Sequence, residues 1–165
     1  MRKLVFALAA ALALCACAGP QKYAAADDIH AFLTAVRDND RALFDVHVDR
    51  RALSRQLEQR IVSELPSDPV SRSLGAVMAG PTAGVVTNLL AQPRVFRAVA
   101  VYNGYDPAKP LPPRALIAQV LKSAGDGRVC IGDAKRPCTL VFSRAGDVWR
   151  LTAFLGDLKE LRAGL

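Results

Sequence analysis

The chain has 165 residues, of which 22 are Lys or Arg and 15 are Asp or Glu, giving a formal net charge of +7. This length holds one domain with a core of its own. The basic excess favours attraction to anionic lipid head groups. No Gly-rich phosphate loop, nucleic-acid motif or ladder of aromatic and basic residues indicates a nucleic-acid partner, so none is expected.

The first residues are typical of a secretory signal. A basic end at Arg2 and Lys3 precedes an apolar run over 4–14. This run is too short to span a membrane, which takes about 20 apolar residues. Residues 14–17, Leu-Cys-Ala-Cys, resemble the bacterial lipobox, which predicts removal of residues 1–16 and lipidation of Cys17.

Two further inferences concern this end of the chain. Ala18 follows Cys17, and by resemblance to Gram-negative sorting signals this favours the outer membrane, with the domain facing the periplasm. Residues 17–22 are predicted to be a tether. The alternative is an ordinary A-x-A site cleaved before Gly19, which would leave a soluble periplasmic protein.

The next segment predicts three helices. Residues 21–36 carry apolar side chains near helical spacing, and the polar cluster 38–40 ends that helix. A short helix is expected over Arg41–Val46. Asp49 is then a good N-cap for a helix that runs to Leu65, before Pro66. The stripe of the first helix comprises Tyr23, Ala26, Ile29, Leu33 and Val36.

The segment 73–93 carries no charge. Three Gly and two Pro dilute it, and Gly80-Pro81 lies in its middle, which predicts two buried helices over 70–79 and 82–91. The alternatives are an apolar groove for a lipid tail or partner, and a membrane span. Pro93 opens a further short helix.

In the last third of the chain the sequence pattern changes from helical spacing to short apolar runs. Residues 113–125 have helical spacing with Gly125 as the expected C-cap, although a strand is an alternative. Three short β-branched or aromatic runs then predict a three-stranded antiparallel meander, with Trp149 in the core. The predicted fold class is α+β, with N-terminal helices packed on a small C-terminal sheet of three or more strands. One domain is expected over 23–158, followed by a tail over 159–165.

Cys130 and Cys138 form an even pair for an oxidising compartment. A hairpin centred near Ala134 would place them directly opposite each other, at a distance suited to a disulfide. A free buried pair and half of a metal site are the alternatives. The spacing is poor for zinc because no further Cys or nearby His accompanies it.

The strongest local candidate for a polar site is Asp45, His47 and Asp49. In an extended segment the three side chains share one face, as a metal or proton-transfer site needs. If 41–46 is helical and Asp49 is a cap, they do not. We therefore assign no catalytic residue, no metal ligand and no cofactor. Another candidate is a mouth beside the helices, lined by Arg94, Arg97, Tyr102 and Tyr105.

Residues 38–57, with Asp40, Leu43 and Val48-Asp49, resemble the bacterial family called Domain of Unknown Function 2939. Residues 93–96 and 148–151 resemble that family's Pro-led helix and its Trp-containing strand. The chain departs from the pattern in having Asn39 where the family has Gly. The resemblance implies an N-terminal membrane signal, several helices and a C-terminal sheet, and no catalytic residues. The ending 145–154 is also similar to last strands of nuclear-transport-factor-2-like domains.

These observations predict an envelope lipoprotein that does not act as an enzyme. It would be held to the membrane by its lipid and would bind an envelope protein or an apolar ligand. The alternative is a small periplasmic enzyme on a cone-like fold.

Overall fold

The computed structural model describes the backbone of residues 18–63, 69–102, 104–132 and 138–156, and their side chains except at 18–20, 61 and 69–79. Helices precede strands along the chain, which confirms the predicted α+β class. The helices are α1 (Ala18–Asp38), α2 (Arg41–Val46), α3 (Arg50–Ser63), α4 (Pro69–Leu90), α5 (Pro93–Tyr102) and α6 (Arg114–Val120). The strands are β1 (Lys122–Ser123), β2 (Val129–Ile131), β3 (Leu140–Ala145) and β4 (Val148–Phe154).

Helix α1 is longer than predicted and forms the centre of the core. It begins at Ala18, so most of the predicted tether 17–22 is helical. Tyr23, expected in the apolar stripe, is 57% exposed. The helix ends at Asp38. Asn39 follows with a φ of +55°, and the Asp40 N–H donates to the Ala35 carbonyl at 2.9 Å. This is the left-handed C-terminal turn that Asn tolerates. The buried residues of α1 are Ala25, Ala26, Ile29, Phe32, Ala35 and Val36.

Two aspartates start the next helices. The Asp40 carboxylate accepts a hydrogen bond from the Leu43 N–H at 3.0 Å, and the Asp49 carboxylate accepts one from the Ala52 N–H at 2.9 Å. Each satisfies one of the N–H groups that a helix start leaves unpaired. The predicted cap at Asp49 is therefore confirmed. The predicted end of this helix at Leu65 lies outside the described residues.

Helix α4 corrects the prediction of two buried helices, because it is continuous over Pro69–Leu90 with Pro81 inside. A proline inside a helix costs about 3 kcal/mol because it removes one hydrogen bond and crowds the preceding turn. Packing of α4 along α3 opposes that cost. Burial is one-sided, since Val85 and Leu89 are 62% and 54% exposed. Among the described residues, no helix has the length and apolarity to cross a membrane.

The sheet has four strands, in agreement with the predicted three or more, and adds one strand to the three of the predicted meander. They are antiparallel in the order β1-β2-β3-β4. The extra strand, β1, follows α6, and Gly125 lies with φ +74° in the turn between β1 and β2 instead of capping a helix. Trp149 is buried, as predicted, and Val129, Phe142 and Leu151 are buried with it. A cluster of rings joins this sheet face to the helices, with centroids 5.5–5.7 Å apart: Phe32, Phe44, Phe96 and Phe142.

The structure contains the disulfide between Cys130 and Cys138, with their Cα atoms 5.3 Å apart. The predicted register is wrong, because Cys130 lies opposite Val141 and not opposite Cys138. The pairing of Ile131 with Leu140 leaves Cys138 in the connection before β3. The predicted hairpin centre at Ala134 lies outside the described residues.

Candidate functional site

The segment that carries the predicted polar cluster lies along the outer edge of β4. Val48 forms a parallel bridge with Leu151. The Leu151 N–H donates to the His47 carbonyl at 2.8 Å, and the Asp49 N–H donates to the Leu151 carbonyl at 2.9 Å. Residues 47–49 therefore cover part of a strand edge that would otherwise be unpaired.

The predicted cluster does not form one site. Asp45 belongs to α2 and makes ion pairs with Arg50 at 2.6 Å and Arg41 at 3.8 Å. Asp49 caps α3. Asp45 is helical and His47 has φ −100° and ψ 13°, so residues 45–49 are not the extended segment that a shared face requires. Within the part of the chain that the structure describes, no group of three His, Cys, Asp or Glu residues is arranged to hold a metal.

His47 instead lies beside Asp28 of α1, which the sequence analysis did not single out. Its side chain is 7% exposed, and its Nδ1 is 3.7 Å from Asp28 Oδ1. The other Asp28 oxygen accepts the Trp149 backbone N–H at 2.8 Å. His47 Nδ1 is buried with no hydrogen-bond partner in the described region. This group ties α1 to β4.

The predicted mouth is a shallow open hollow. Arg94, Arg97 and Tyr102 line it together with Asn39 and Val101, whereas Tyr105 does not. Arg94 Nε donates to the Gln92 side chain at 2.9 Å.

An exposed ion pair lies at the neighbouring end of α1. Hydrogen bonding to the Arg37 guanidinium, at 2.7 Å, lowers the pKa of Asp38 and raises that of Arg37. Such exposed pairs contribute little to stability.

A small apolar cleft opens between α3, the α4–α5 junction and the end of β4, with a volume of about 50 Å³ available to the centre of a water-sized sphere. Most of its lining is apolar, and we refer to it as the cleft. Three polar residues, Gln56, Arg60 and Thr87, complete the lining. The apolar residues are Leu53, Leu57, Leu90, Ala91, Phe96 and Phe154.

Two side chains of α3 attach the cleft to β4. The Gln56 amide donates to the Phe154 carbonyl at 2.7 Å and accepts the Phe154 N–H at 3.0 Å, as a neighbouring strand would. Arg60 Nη1 lies 3.4 Å from the Phe154 carbonyl oxygen and 3.3 Å from that of Gly156. These contacts satisfy backbone groups at the end of the strand.

The sequence anticipated part of this cleft. An apolar groove was one alternative for 73–93, and Thr87, Leu90 and Ala91 come from that segment. Gln56, Arg60 and Phe154 were missed. Gln56 and Arg60 could have been found from the sequence, because they are four residues apart and therefore share a helix face. That face lies beside the apolar stripe of Leu53 and Leu57. No local signal marks Phe154 as their partner.

No protein-family model matches the chain, and no curated protein or solved structure matches it. The resemblance to Domain of Unknown Function 2939 therefore stays a prediction.

Proposed function

We propose that this chain is a bacterial envelope lipoprotein whose domain binds an apolar ligand in the cleft, without catalysis. The observation that carries the proposal is the predominantly apolar lining of a cleft open to solvent. Small-molecule sites in proteins are typically concave and mostly apolar, with a few polar groups that fix orientation. Gln56, Arg60 and Thr87 are polar groups of this kind.

The absence of catalysis is part of the proposal, and the use of the polar side chains supports it. The Asp45 carboxylate forms ion pairs with arginines, the Asp49 carboxylate caps α3, and the Asp28 carboxylate accepts a backbone N–H. These contacts give each of the three aspartates a structural role. Asp28 and His47 are the pair to test if an activity is found.

Attachment to the membrane is proposed from residues 14–17. Lipidation of Cys17 would place the anchor directly before α1, which begins at Ala18. The start of α1 lies at the Val148 end of β4, because Gln21 and Trp149 line one common hollow. Phe154, at the other end of β4, lines the cleft. A strand of seven residues spans roughly 20 Å, so the cleft would open far from the anchor.

A matched pair of cysteine variants tests the anchor. We expect Cys17→Ser to lose the acyl groups and to move the protein from the membrane to the soluble fraction. Cys15→Ser keeps the lipid, because Cys17 is unchanged. Intact mass spectrometry of protein extracted gently from its own membrane measures both. A wild-type mass that begins at Gly19 without lipid would contradict the lipoprotein proposal and favour a soluble periplasmic domain.

The same preparation tests ligand binding. Organic extraction of the purified protein should release an apolar compound beyond the anchor lipids. An extract that contains only anchor fragments, together with no binding of added decanol, would leave the cleft without its proposed function. An envelope protein as the partner would then become the leading interpretation.

A further inference from the structure

We propose that the ligand is a single-chain amphiphile with an anionic head group, and that Arg60 binds this head group at the mouth of the cleft. This inference rests on the proposed function, because it assumes that the cleft takes an apolar chain. It adds the chemical class of the ligand and the residue that selects it.

Arg60 stands between two different surfaces. It lines the cleft, and it also lines an adjoining open hollow with Gln56, Gln59, Ser63 and Leu155. The hollow is more polar than the cleft, because four of its five lining residues are polar, against three of nine in the cleft. A molecule with an apolar chain and a polar head matches these two adjoining surfaces, with the chain in the cleft and the head in the hollow.

The charge of Arg60 lacks a protein counterpart in the described part of the chain. No described carboxylate lies within 4.0 Å of its guanidinium, whereas six other arginines form such pairs with aspartates: Arg37, Arg41, Arg50, Arg114, Arg128 and Arg144. A half-buried cation beside an apolar surface attracts an anion more strongly than it would in open water. The cleft therefore favours anionic head groups over neutral or cationic ones.

The hydrogen-bonding capacity of Arg60 is only partly used. A guanidinium has five N–H donors in a planar fork that matches carboxylate and phosphate oxygens. The described contacts use Nη1, at the long distances of 3.3 and 3.4 Å. Nε and Nη2 have no recorded partner among the described residues and provide the donors that a carboxylate or phosphate head would need.

The test compares three ligands that share one chain and differ in the head: decanoate, decyl phosphate and decanol. They are titrated onto the processed lipoprotein held in amphipol, with the methyl chemical shifts of Leu57 and Leu90 as the signal for the cleft. Each ligand is compared between wild type and Arg60→Gln, so that its partitioning into amphipol cancels. Arg55→Gln, an exposed change on the same helix, is the matched control.

We expect Arg60→Gln to weaken decanoate and decyl phosphate about tenfold, the scale of one charge-assisted contact, and to leave decanol within about twofold. Arg55→Gln should change none of the three. The larger loss, for decanoate or for decyl phosphate, assigns a fatty-acid or a phospholipid-derived head. Arg60→Lys, which keeps the charge, should recover most of the lost affinity.

Three results would overturn this inference. If Arg60→Gln weakens all three ligands equally, or none, while binding persists, the head-group role is wrong and the apolar-ligand function stands. If Arg60→Lys loses as much anion affinity as Arg60→Gln, the charge is not what selects the ligand. If no ligand shifts the cleft methyls of the wild type, the proposed function itself fails.

Discussion

At each end of β4, a side chain from a helix hydrogen-bonds to the backbone of the strand, but the surroundings of the two ends differ. At the Val148 end, Asp28 accepts the Trp149 backbone N–H, Trp149 is buried, and the hollow beside it is lined by eight residues of which five are polar. At the Phe154 end, Gln56 bonds both backbone groups of Phe154, but a cleft remains beside it. Most residues around the hollow at the first end are polar, whereas most of those around the cleft at the second end are apolar.

The difference shows that hydrogen bonds fix the position of an element without filling the space around it. Core packing tolerates few voids, because an empty volume forfeits the attraction between its walls. The apolar space beside the Phe154 end of the strand is therefore a feature to explain. Ligand binding is the explanation that we propose.

The largest expected effect comes from truncating one ring at each end. We expect Trp149→Ala to reduce the free energy of unfolding by about 3–5 kcal/mol, as for other buried large-to-small changes. Phe154→Ala should cost less than half as much, because one side of the Phe154 ring already faces the cleft. Urea unfolding of both variants measures this. Equal losses would mean that both ends are packed alike.

The next prediction concerns the hydrogen bond between Asp28 and the Trp149 N–H, at the Val148 end of β4. Asp28→Ala leaves the Trp149 N–H without its acceptor and should cost about 1–3 kcal/mol. Asp27→Ala is the adjacent control, since it breaks only an exposed ion pair with Arg114, worth about 0–1 kcal/mol. Thermal or urea unfolding gives both values. A loss at Asp27 as large as at Asp28 would refute the assignment of Asp28 to this joint.

The smallest effect on stability is expected at the open end, with a large effect on binding. Leu90→Trp should occupy the cleft and abolish the binding of decanol, while the free energy of unfolding changes by less than about 1 kcal/mol. Leu89→Trp places the same ring at the neighbouring residue, which is exposed and does not line the cleft. This variant should bind decanol as the wild type does. Loss of binding in both variants, or in neither, would place the ligand elsewhere.

Structural features that depend on a few neighbouring residues were predictable from the sequence. The Asp49 cap, the turn at 38–40 and the helix start at Pro93 depend on local backbone chemistry. The buried Trp149 and the α+β class follow from hydrophobic pattern and the order of the elements. The disulfide partners were predictable because Cys130 and Cys138 are close in sequence.

Predictions failed where a distant contact decides. Pro81 predicted a break, but α4 runs through it while packed along α3. Strand β1 has two residues, too few for a periodic pattern, and it forms by pairing with β2. The expected opposition of Cys130 and Cys138 was wrong because β2 pairs with β3 in a register that places Val141 opposite Cys130.

The sequence by itself determined the local elements, the fold class and the cysteine pair, because these depend on neighbours along the chain. The site was decided only by the tertiary structure. Asp28 meets Trp149 across 121 positions, and Gln56 meets Phe154 across 98. A side chain can select a partner at such separations only after the packing of helices on the sheet has brought both to one place, and residue spacing carries no record of that packing.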